Sequence, residues 1–192
     1  VPHTPHYDIP LLNVDRQADF VDLPVRGWGS VSRRKRFQGT WHFYVDDYKF
    51  STLWKKPETV LGTKAVSFVE CNFSIDNQMP FPVVLYRTYQ KRWLARYWQE
   101  RGLECFVDLN VPFNWEKINL EGVPKGWQSY ATSANDSQLD ILARHLDTAK
   151  ARSRGGELRM LVYGGSAATA AFCEDNGLVH VKDARNEARE DG

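Results

Sequence analysis

The chain has 192 residues, enough for one domain that buries roughly 70% of the surface its unfolded form exposes. Hydrophobic residues at 42%, aromatics at 13% and charged residues at 26% exclude a collagen-like, low-complexity or largely disordered chain. Lysine plus arginine total 25 against 24 acidic residues, and the net charge of +1 leaves only local contacts for any polyanionic partner.

Residues 1–40 contain several prolines, two glycines flanking Trp28 and no sustained period of 2 or 3.6. They predict an irregular N-terminal arm rather than a layer of the core. This arm is basic, with Arg26, Arg33, Arg34, Lys35 and Arg36 and no intervening acid. The pattern then changes. Trp41 to Asp46 is an aromatic and β-branched run that reads as a strand, followed by a short helix after Ser51 that Pro57 interrupts or restarts. A second strand is expected over 65–70, and Pro80 opens a helix that runs to about residue 101 and stops at Gly102. Further strands are expected at 103–109, 129–133, 158–163 and 178–181, with helices over 138–152 and 166–176.

Alternating strands and helices imply an α/β fold, a mostly parallel sheet of about six strands with helical crossovers. A complete eightfold barrel takes ~250 residues, so an open sheet or an incomplete TIM-like barrel is expected. The expected layout is an arm over 1–40, a single α/β domain over 41–183 and a polar tail over 184–192. No apolar run reaches the ~18 residues needed to span a bilayer, and the first residues lack the layout of a secretory signal. A soluble, cytoplasmic protein without membrane contact follows.

Cys71, Cys105 and Cys173 form no Cys-x-x-Cys pair, and the five histidines have no ligand spacing. Structural zinc and a disulfide framework are not expected, and the cysteines read as small buried hydrophobes. In a parallel α/β fold the functional edge lies at the C-terminal ends of the strands. Asp46, Asp47, Glu70 and Asp108 fall there and are candidate catalytic groups or oxygen ligands for Mg²⁺ or Mn²⁺. Acids and amides at these positions equally cap helices and turns. Gly164, Gly165 and Ser166 lie between a strand and a helix, as either a tight turn or an anion site. On the helix opened by Pro80, Leu85, Tyr89, Trp93 and Tyr97 form a stripe at spacing four, beside Arg87, Lys91, Arg92 and Arg96. That face reads either as an aromatic core stripe with snorkelling cations or as a surface for single-stranded nucleic acid.

Several ordered motifs resemble the family catalogued as domain of unknown function 4417. They are the Phe43 to Phe50 run with Trp54 and Pro57, Phe73-Ser74 before Met79-Pro80, Tyr89 to Trp93 with Tyr97 to Gln99, Gly122 to Gly126, and Val162 to Gly164. The resemblance covers about residues 42–165. This chain has Cys71-Asn72 where the family pattern has Pro-Asp, and Val111 where it has an aromatic. The resemblance implies an α/β fold and a phage or plasmid context, in a bacterial cell or infected host, and brings no catalytic assignment.

Three functions fit these features. The leading one is an accessory protein that contacts DNA or RNA through Arg33, Arg34, Lys35, Arg36 and the Arg87 to Arg96 face. The second is a divalent-metal-dependent enzyme acting on a phosphate-containing substrate, with Gly164 to Ser166 receiving the phosphate. The third is a module that binds a host protein without catalysis.

Overall fold

Seven short strands run side by side: β1 (Val25–Gly27), β2 (Thr40–His42), β3 (Ser67–Val69), β4 (Glu104–Asp108), β5 (Ser129–Ser133), β6 (Arg159–Tyr163) and β7 (Val179–Val181). Every adjacent pair is parallel, and the order across the sheet is the order in the chain. The computed structural model describes residues 1–29 and 36–183. Helices α1 (Glu58–Leu61), α2 (Phe81–Gln99), α3 (Glu116–Asn119), α4 (Leu139–Ser153) and α5 (Ala167–Asp175) fill the crossovers from β2 onward.

Because each crossover advances by one strand, the helices collect on one face and the other face curls upon itself. The curl can be read from one contact. His42 ends β2 and Tyr163 ends β6, four strands apart, a distance of ~19 Å in a flat sheet. Their ring centroids are 4.0 Å apart. The molecule is an α/β fold with a nearly barrel-shaped, all-parallel sheet.

Side-chain alternation divides the core in two. Along β4, Cys105 and Val107 face the helices, where they join Phe68, Leu94, Trp98, Tyr130 and Leu146. Phe106 faces inward, where it meets Val25, Val69, Ala131 and Leu161. The interior is a packed core.

The first 29 residues are more than an arm. Ile9, Leu12, Ala18, Val25 and Trp28 are buried. Strands β4 and β5 pair only through Val107 with Tyr130 and Asp108 with Ala131. Residues 17 and 18 occupy the gap below. Gln17 bridges Cys105, the Ala18 N–H donates to the Cys105 carbonyl at 3.0 Å, and the Ser129 hydroxyl donates to the Ala18 carbonyl. Strand β1 escapes a sequence reading because three residues between Pro24 and Trp28 are too few to display a period.

Candidate functional site

A cavity of about 860 Å³ opens at the C-terminal ends of the strands, lined from β1 through the residues after β7. Its floor is aromatic. His42, Tyr44 and Tyr163 stack on one another, with Tyr44 5.7 Å from His42 and 5.9 Å from Tyr163 between ring centroids. Gly27 makes this possible, since a Cβ there would lie 3.2 Å from His42 Cε1 and 3.1 Å from Val45 Cγ1. Burial pushes His42 down to about 4, opposed by the charge of Asp183 and assisted by that of Arg26. It is therefore neutral near pH 7. Its Nδ1 accepts the Tyr44 N–H at 3.2 Å, which leaves the ring proton on Nε2.

Tyr44 leads from the cavity into a buried charge network. Its hydroxyl donates to Asp108 Oδ1 at 3.1 Å, and Lys91 Nζ donates to Asp108 Oδ2 at 3.0 Å. The Asn110 N–H donates to Oδ1, and Asn119 Nδ2 donates to the Asp108 carbonyl. Alongside, Arg92 pairs with Glu70 and donates to the carbonyls of Asn119 and Glu121, while Glu70 Oε2 accepts the Asp108 N–H. Glu70, Lys91, Arg92 and Asp108 are all buried. Removing four charged groups from water is expensive unless each finds a counter-charge and hydrogen bonds, and here each does. Burial first, and then Asp108, hold the Tyr44 phenol well above its ordinary range, so it stays protonated.

This geometry changes the roles of the predicted residues. Lys91 and Arg92 point into the core and are committed to Asp108 and Glu70, so they are not placed to touch phosphates. Arg96 donates to the Leu11 carbonyl and pairs with Glu100, and Arg87 lies over the Phe73 ring at 5.3 Å. Arg36 is exposed, and Arg33, Arg34 and Lys35 lie outside the described residues. The four carboxylates do not form a ligand set. Glu70 and Asp108 are consumed in the buried network, Asp47 accepts the Ser74 N–H and hydroxyl, and Asp46 faces Lys49 at 3.7 Å. Among the described residues no three His, Cys, Asp or Glu side chains group to hold a metal ion.

The turn at Gly164, Gly165 and Ser166 already holds an anion of the chain's own. Asp136 accepts the N–H groups of Ser166 at 2.8 Å and Thr169 at 3.1 Å, together with both hydroxyls. These bonds hold its carboxyl well below the usual carboxylate range. The turn aims donors at one point, as the sequence suggests, but a side chain from the loop after β5 takes them.

His42 is missing from the sequence-based site because a single aromatic at a strand end looks like any core residue, and Tyr163, although within the Val162 to Gly164 motif, reads the same way. Tyr44 sits within the Phe43 to Phe50 motif, and that motif was the available signal.

The family model of domain of unknown function 4417 (DUF4417) matches residues 1–126. The chain belongs to the DUF4417 family. The match begins earlier and ends earlier than the span of 42–165 expected from motifs. It contains Tyr44, Glu70, Lys91, Arg92 and Asp108, whereas Tyr163 and the Asp136 turn lie beyond it. The DUF4417 chain is 29% identical over 199 residues to the Gene 1 protein of Mycobacterium phage D29, an alignment covering 95% of this chain and 68% of that protein. It is 36% identical over 103 residues to the Gene 1 protein of Mycobacterium phage L5, covering 51% of this chain and 44% of that one. Both relatives of the DUF4417 chain are phage proteins. No solved structure matches the chain.

Proposed function

We propose that the chain is an enzyme whose rim cavity binds a small polar molecule with a planar ring and moves a proton on it. One observation carries this reading: a tyrosine that faces the cavity is held by a fully buried Lys91–Asp108 pair. A titratable group at a cavity, shifted by burial and by a specific charge partner as the Tyr44 phenol is, is a functional-site candidate. Tyr44 and Asp108 form the relay. A proton arriving on the Tyr44 oxygen is balanced by passage of the phenolic proton to Asp108, which becomes neutral and leaves Lys91 as the cation of the pair until the proton returns. His42, neutral and protonated on Nε2, is a hydrogen-bond donor for an oxygen of the substrate rather than its base. The aromatic floor supplies stacking for the planar ring.

Two variants test the proposal. Thermal-shift measurements against bases, nucleosides, nucleotides and phenolic acids should give a melting-temperature rise with one class, and Asn72→Trp, which fills the cavity from its wall, should abolish it. Tyr44→Phe should keep that rise and lose product formation by at least a hundredfold in mass spectrometry. A rise that survives Asn72→Trp, or turnover that survives Tyr44→Phe, would overturn the assignment.

Among the described residues no helix is long and apolar enough to cross a membrane. The nucleic-acid reading loses its helix face, since Lys91 and Arg92 are buried. It keeps the exposed Arg36 and the rim residue Arg26.

A further inference from the structure

A second cavity, of about 530 Å³, opens on the same rim beside the first. The two share Ser133, Ala134 and Asn135, the residues by which the chain leaves β5. Three residues of backbone span at most ~10 Å, so the wall between the cavities is a narrow saddle. Each cavity is large enough to enclose one small-molecule group.

The far lip of the second cavity has an unusual construction. Phe113, on the loop after β4, is 66% exposed and so contributes little to the core. The Arg144 guanidinium, from α4, lies over its ring at 3.8 Å from the centroid. His145, which also lines this cavity, is buried, with Nδ1 2.8 Å from the Thr132 hydroxyl. An aromatic with a guanidinium on its face is a platform on which a planar, electron-rich ring stacks. The first cavity supplies a stacking surface of its own in the His42, Tyr44 and Tyr163 rings.

We infer that the two cavities form one bipartite site for a dinucleotide unit, one base in each cavity and the linking phosphodiester over the Ser133 to Asn135 saddle. The inference rests on the rim-cavity reading above and names its substrate class. Arg26 lines the first cavity and Arg144 the second, so each half of the site carries a cation for an anionic ligand, and Ser133 belongs to the wall the two halves share. The unit comes either as a free dinucleotide or as the end of a single strand, because the chemistry recognised is the same.

The test uses the full chain, with thymidine monophosphate, the thymidine dinucleotide and a twelve-residue oligothymidylate as probes in titration calorimetry. The dinucleotide or the oligomer should bind at least tenfold more tightly than the mononucleotide. Phe113→Ala, at an exposed position that leaves the melting temperature unchanged, should remove that advantage and leave mononucleotide affinity as it was. Binding of the dinucleotide without the oligomer identifies a free small molecule, and binding of both identifies a strand end. Equal affinity for all three probes, or an equal loss for all three in Phe113→Ala, overturns the bipartite site. If mononucleotide or another planar ligand still binds in an Asn72→Trp-sensitive manner, only the bipartite inference has failed. If no ligand responds to Asn72→Trp, the rim-cavity reading has failed with it.

Discussion

At His42, burial and the proposed role meet in one side chain. Its ordinary pKa of 6.5 falls to about 4 in the fold. Between those values the unfolded chain binds the proton that the native ring refuses, so this contribution to stability is complete above pH 6.5 and is lost as pH falls toward 4. The difference is worth about 3 kcal/mol. Urea unfolding measured from pH 7 to pH 4 should therefore show a falling free energy, and His42→Asn, which keeps an acceptor for the Tyr44 N–H, should flatten that slope. The cysteines behave differently. Cys71, Cys105 and Cys173 are free and buried, burial raises all three thiols, and Cys173 reaches about 11. They pack as the small hydrophobes expected from their apolar surroundings.

On the scale of the element, α2 is the instructive case. Its existence and limits were legible: Pro80 before it and Gly102 after it bracket Phe81–Gln99. Its buried face was not. The spacing-four aromatics suggest the core stripe, yet Tyr89, Trp93 and Tyr97 are only partly buried, and Trp54 packs against the first two. The face that docks on the sheet is Val84, Thr88, Lys91, Arg92, Ala95 and Trp98, also a helical period. A charged residue in that period reads as solvent-facing until the acid it meets is known, and Glu70 and Asp108 come from other strands. Arg92→Met leaves Glu70 buried without its counter-charge and should cost ~3–5 kcal/mol in urea unfolding. The double variant Arg92→Met/Glu70→Gln, which retains an acceptor for the Asp108 N–H, should recover most of that loss.

For the whole molecule, sequential strand order creates both the inner core and the open rim. The sheet curls, but β4 and β5 part at their lower ends, and residues 17 and 18 seal the gap. Gln99 ties the same segment down, donating to the carbonyls of Asn13 and Arg16 at 3.1 and 2.9 Å. Deleting residues 1–20 should therefore lower the melting temperature and broaden the transition followed by circular dichroism. A detachable arm would leave the melt unchanged.

The amino-acid order alone determined the parallel α/β architecture, six of the seven strands and the long helices. These depend on periodicity, helix stops and short apolar runs, which are local in the chain. Tertiary structure decided which charges are solvated and which are buried, that Asp136 and not a ligand caps α5, and that His42, Tyr44 and Tyr163 meet across the barrel mouth. Such pairings depend on sheet curvature and on strands far apart in sequence, and no local pattern encodes the partner of a buried ion or the ring on the opposite wall.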